Sequence, residues 1–80
     1  MRRMNVGSRK LSAWLEREGV KMYVFAARVR VGPSTITRLL KGDRRPGLEL
    51  AGRIFAETGG DVTQNDWIIP INEPSENAAA

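Results

Sequence analysis

The sequence predicts an all-α domain of five short helices around one core, and three observations predict it. Apolar residues recur at three- and four-residue spacing, in Leu11, Trp14 and Leu15 and again in Ile36, Leu39 and Leu40. That is the pattern of a helix with one buried face. Glycines stand where such runs end, at Gly19, Gly42 and Gly59-Gly60, and Gly32-Pro33 stands where one begins. Between residues 21 and 40, Ala26, Val31 and Ile36 fall at five-residue steps. Those steps put them on the inner face of two steeply crossing helices joined by a tight turn. The small Ala26 lets the two backbones approach.

Eighty residues make one domain, near the lower size at which a core holds without covalent staples. There is no cysteine and no histidine, which excludes disulfides and the usual zinc sites and makes a reducing cytoplasm the expected setting. The longest apolar run, Trp67-Ile68-Ile69, is cut by Pro70. It falls far short of the roughly 18 residues of a membrane span. No apolar segment follows the basic MRRMNVGSRK, so no signal peptide is expected. The net charge of +4 conceals an asymmetry. Residues 1–45 hold 12 basic against 3 acidic side chains, net +9, and residues 46–80 hold one basic against six acidic, net −5. A basic half beside an acidic half suits a chain with one face built for a polyanion.

Residues 1–7 show no periodicity and are expected to form a flexible basic arm, with Arg2 and Arg3 either reaching phosphates or a minor groove or simply solvated. The folded domain is expected over residues 8–71, and the polar NEPSENAAA of residues 72–80 reads as a disordered tail. The first helix, residues 8–18, takes Ser8 or Asn5 as its cap and stops at Gly19. The second, residues 21–29, turns Phe25, Ala26 and Val29 inward; its valines lower helix propensity, so packing must hold it. Pro33 opens the third helix, where its missing N–H costs nothing, and Gly42 ends it. Residues 43–47 (DRRPG) make a basic, turn-rich loop. A fourth helix over residues 48–57 has Leu48, Ala51, Ile54 and Phe55 as its stripe. Thr63-Gln64-Asn65-Asp66 resembles a capping box, opening a short fifth turn that carries Trp67 and Ile68.

The outer face of the third helix holds Ser34, Thr35, Thr37, Arg38 and Lys41, and no acidic residue occurs anywhere between Lys21 and Gly42. A helix entering the major groove needs short polar groups that reach base edges and no charge that repels phosphate. Arg38 suits a bidentate pair with guanine, worth about 1–3 kcal/mol of discrimination. Ser34 and Thr37 donate or accept, and a threonine methyl suits a thymine methyl. The N–H groups opening the helix, near Ser34 and Thr35, suit a phosphate. Lys41, Arg44 and Arg45 lie just beyond, where they position the chain on the sugar-phosphate backbone without reading sequence.

Residues 21–40, continued by Lys41-Gly42-Asp43-Arg44-Arg45-Pro46, resemble the helix-turn-helix of the Cro and lambda-repressor (XRE-like) family. Ala26, Val31, Ile36, Gly42 and Pro46 match its small, apolar, Gly and Pro positions, and residues 48–68 resemble its fourth and fifth helices. The resemblance covers residues 11–69 and implies a five-helix lambda-repressor-like domain with the helix-turn-helix at helices 2 and 3. It implies base reading from Pro33, Ser34, Thr37 and Arg38, and backbone contact from Lys21, Met22, Thr35, Lys41, Arg44 and Arg45. Three positions depart from the family. Met22 stands where a glutamine often bonds a phosphate or a neighbouring reader. Pro33 stands where a polar base reader is common, and Arg30 where the turn usually has Gly. Arg30 either adopts the left-handed conformation at a cost of about 1 kcal/mol, or the turn is reshaped around Gly32.

These features imply a sequence-specific, double-stranded-DNA-binding transcriptional regulator, a small phage or bacterial repressor of Cro type. The alternative is a protein-interaction module of antitoxin or anti-repressor kind, suggested by the acidic half and by Trp67-Ile68-Ile69-Pro70-Ile71. An enzyme is not expected, because no nucleophile–base pair and no phosphate loop occurs; no cofactor or metal is expected either. One reading helix spans few base pairs, so a homodimer on a partly palindromic operator follows. Its interface is expected at Trp67, Ile68, Ile69 and Ile71, unless Trp67 and Ile68 close the core instead.

Overall fold

The computed structural model describes residues 5–69. Among them are four α-helices, α1 (Val6–Glu18), α2 (Met22–Arg28), α3 (Pro33–Lys41) and α4 (Leu48–Glu57), followed by a 3-10 turn at Gln64–Ile68. The all-helical class holds. The fifth helix, however, is a five-residue 3-10 turn rather than an α-helix, because Pro70 follows too closely for another turn. The expectations for Arg2 and Arg3, for Ile71 and for the tail fall outside the described residues.

The first helix begins two residues earlier than expected. Asn5, not Ser8, is its cap: the Asn5 side-chain oxygen accepts from the Ser8 N–H at 2.7 Å. Val6 and Gly7, assigned by periodicity to the arm, are therefore helical. Ser8 has another task. Its buried hydroxyl donates to the Leu39 carbonyl at 2.6 Å, tying α1 to the last turn of α3.

Leu11, Trp14 and Leu15 of α1 meet Phe25, Ala26 and Val29 of α2 and Ile36 and Leu39 of α3 in one core. Ala26 and Ile36 are fully buried, and Val31 packs against the same cluster. The Trp14 and Phe25 rings lie 5.6 Å apart at 60°, a tilted arrangement their quadrupoles favour. Leu40 is only partly buried.

Helix α4 keeps its expected bounds, but its stripe is rotated. Ala51 and Ile54 are buried and Leu50 packs against the core, whereas Leu48 is 82 % exposed and Phe55 is half exposed. Phe55 lies beside Gly60 in the turn that follows, where a Cβ would sit 3.7 Å from its ring. Val62, unassigned by periodicity, is fully buried in its place.

The 3-10 turn closes the base of the core. Trp67 is buried against Gly7, where a Cβ would run into the indole ring at 2.6 Å from Cε3. This settles the choice for Trp67: it belongs to the core, not to the surface. Its indole N–H has no acceptor among the described residues, so packing alone holds it. Ile68 remains exposed, and Ile69 partly so. The Ile69 carbonyl accepts from the Val6 N–H at 2.8 Å, bringing the two ends of the described chain together.

The expected capping box is present. The Thr63 hydroxyl accepts from the Asp66 N–H, and the Asp66 carboxylate accepts from the Thr63 N–H at 2.9 Å. Lys10 of α1 reaches the same carboxylate at 3.1 Å. Burial pushes the Asp66 carboxyl up, but the Thr63 N–H, the Lys10 ammonium and the Thr63 hydroxyl outweigh it and hold it below its ordinary 3.8. A carboxyl depressed in the folded state contributes its stability above the unfolded value and loses it as pH falls through the folded one. Asp66→Asn is therefore expected to cost about 1 kcal/mol at pH 7. The difference from the parent chain should shrink as pH falls below the ordinary carboxyl value of 3.8 and vanish once Asp66 is protonated in the folded state, as urea denaturation across pH would show.

Candidate nucleic-acid interface

Helix α2 ends in a left-handed stop formed by a pair of backbone bonds. The Arg30 N–H donates to the Ala27 carbonyl at 3.2 Å and the Val31 N–H to the Ala26 carbonyl at 2.9 Å. This is the Schellman closure, which needs positive φ at the residue between, and Arg30 supplies it with φ 62°. The turn is not reshaped around Gly32, whose φ of −73° is ordinary. The Val29 carbonyl beside it also accepts from Arg53 of α4 at 3.4 Å, placing a cation at the negative end of α2.

From this turn α3 starts with Pro33 at its first position. Ile36 and Leu39 point into the core, and Pro33, Ser34, Arg38 and Lys41 are exposed on the other side, with Thr35 and Thr37 half-buried at the margin. The helix groups its expected base readers on one strip. Lys21 and Met22 stand exposed where α2 begins, and Arg44 and Arg45 are exposed in the loop after Gly42. Of the N–H groups expected to be free at the start of α3, that of Thr35 already donates to the Gly32 carbonyl at 3.1 Å. Only that of Ser34 remains for an incoming anion.

The polar partners of Thr37 were not legible beforehand. Its hydroxyl donates to the Pro33 carbonyl at 3.1 Å, one turn back, with the Met22 sulfur at 3.6 Å as the alternative acceptor. Met22 thus touches Thr37, one of the expected readers. Tyr23, off the Phe25–Ala26–Val29 stripe, is 60 % exposed beside Met22.

Charge is unevenly paired among the described residues. Arg17 pairs with Asp61 at 3.0 Å and Glu18 at 3.3 Å, Arg28 with Glu57 at 3.5 Å, Arg53 with Glu49 at 3.3 Å and Lys10 with Asp66. Lys21, Arg38, Lys41, Arg44 and Arg45 have no such partner among the described residues. Arg9 of α1 and Arg30 of the turn have none either, so among the described residues most, not all, of the cations without an ion pair lie around α3. Such a face attracts a polyanion. Among the described residues no helix is long and apolar enough to cross a membrane.

Restoring the glycine that the left-handed position favours removes a side-chain clash but loosens the unfolded chain. Arg30→Gly is expected to raise stability by up to about 1 kcal/mol, seen as a higher urea midpoint with unchanged slope.

A family model described as helix-turn-helix, of the Cro/C1-type (XRE-like) class, matches residues 11–64, about two thirds of the sequence. No curated protein and no solved structure matches significantly.

Proposed function

This chain belongs to the Cro/C1-type helix-turn-helix family of DNA-binding domains, and on that premise we propose that it is a sequence-specific transcriptional regulator, a small repressor of Cro type. The observation that carries the reading is the charge distribution: of the seven cations without an ion pair among the described residues, five (Lys21, Arg38, Lys41, Arg44 and Arg45) belong to the start of α2, to α3 or to the loop after it, and only Arg9 and Arg30 lie elsewhere. A protein-docking surface has no need to leave its cations uncompensated in this way.

In this reading α3 enters the major groove. Arg38 takes guanine, Ser34 and Thr37 reach base edges, and Pro33 offers an apolar contact. Lys21, Met22, Thr35, Lys41, Arg44 and Arg45 fix the register on the sugar-phosphate backbone. A homodimer places two such helices about 34 Å apart on a partly palindromic site. The exposed Ile68 and Ile69 support a contact between copies at that end of the chain. The chain would act in the cytoplasm, on the nucleoid.

Selection of bound sites from a random duplex library, followed by titration, tests the reading. Arg38→Ala is expected to relax preference at one position per half-site, by about 1–3 kcal/mol. Arg44→Ala should instead weaken all duplexes alike and lower the salt slope by about 1. Ile69→Ser should reduce the cooperativity with which two half-sites fill. If no duplex is enriched and neither arginine variant changes affinity at low salt, the reading fails.

A further inference from the structure

The sequence contains no cysteine, so methionine thioethers are its only sulfur. Of its three methionines, Met22 is the one among the described residues. It opens α2 and is 40 % exposed, so a small oxidant in solvent reaches its side chain. The same side chain touches a second helix: the Thr37 hydroxyl of α3 lies 3.6 Å from the Met22 sulfur. That hydroxyl has a competing acceptor in the Pro33 carbonyl, 3.1 Å away and one turn back on α3. A thioether accepts weakly and leaves the proton with the carbonyl. An oxygen added to the sulfur reverses the competition, because oxidation turns an apolar thioether into a polar group with an acceptor oxygen. An ordinary surface methionine combines this exposure with no contact to another helix; Met22 has both.

We propose that Met22 is an oxidative modification site, with hydrogen peroxide as the co-substrate, and that its sulfoxide weakens DNA binding. This rests on the DNA-binding reading above and adds a regulation of the same face. In the step, the sulfur lone pair attacks one oxygen of the peroxide and the O–O bond breaks. The proton on the transferred oxygen passes to the departing hydroxide, which leaves as water. Sulfur is oxidised by two electrons and the peroxide is reduced by two. A sulfoxide reductase drawing two electrons from a dithiol reverses the change, giving back the thioether with water and a disulfide. The sulfoxide oxygen draws the Thr37 proton away from the Pro33 carbonyl and so disturbs an expected reader. It also puts partial negative charge at the start of α2, where a phosphate is expected to lie.

The full chain is treated with hydrogen peroxide at neutral pH, and its affinity for a duplex obtained by selection is read by fluorescence anisotropy before and after. Tryptic mapping locates the added oxygen, because cleavage after Lys21 and Arg28 separates Met22 from Met1 and Met4. Oxidation at Met22 should weaken binding roughly five-fold, the scale of one hydrogen bond. Methionine sulfoxide reductase with dithiothreitol should restore it. Met22→Leu conserves volume and removes the sulfur. Compared with its own affinity before treatment, that variant should not respond to peroxide, although Met1 and Met4 are oxidised in it as in the parent. Thr37→Val, with no hydroxyl to redirect, should lose less than the parent; circular dichroism checks that each oxidised chain is folded. Unchanged affinity of the parent with Met22 oxidised, or a Met22 that resists peroxide in the folded chain, overturns this inference and leaves DNA binding intact. An equal loss in Met22→Leu overturns it as well. Failure to select any duplex removes the DNA-binding reading, and this inference with it.

Discussion

The geometry of the domain depends on how its second helix is stopped. All four α-helices end in the same closure, with a residue of positive φ between two backbone bonds: Gly19 at 67°, Arg30 at 62°, Gly42 at 79° and Gly59 at 66°. Only α2 uses a residue with a side chain there. Residues 29–32 are all that separate α2 from α3, so the chain has no length in which to turn by another route. Bonds from Val31 to Ala26 and from Arg53 to Val29 hold the backbone on both sides, and Val31 itself packs on the core. Strain at one residue persists because its surroundings over-determine it.

Given that turn, one nine-residue helix serves two masters. Its inner residues Ile36 and Leu39 are fully buried, while its outer ones touch little else in the protein. The Ser8 hydroxyl on the Leu39 carbonyl adds a fixed point at the far end of the helix. Helix α3 is thus pinned at both ends, by the turn before it and by α1 after it. Preorganisation of this kind lowers the cost of ordering side chains on a ligand.

Much of this was legible in the sequence, and what was not has a common cause. The stops at Gly19, Gly42 and Gly59, the bounds of α4 and the Thr63–Asp66 capping box are local: each is set by residues within a few positions of one another. The pairing of Gly7 with Trp67 is not local, and a glycine before the first apolar stripe gives no sign that an indole will lie on it. The rotation of α4 is of the same kind. Periodicity names a stripe containing Leu48 and Phe55, but Val62 and Leu50 compete for the same core and win. At the candidate interface the residue types on α3 were readable from composition and spacing. The contact of Thr37 with Met22 was not, because that sulfur is brought over from α2.

The Val6–Ile69 hydrogen bond makes the fold from Asn5 to Ile69 a closed ring rather than a strand with two loose ends. In such a ring the order of the helices along the chain is a matter of where it is cut. A short linker joining the two ends, with a new opening in the irregular segment after Gly42, would give a circular permutant. In it α4 and the 3-10 turn would precede α1, and every helix would be kept whole.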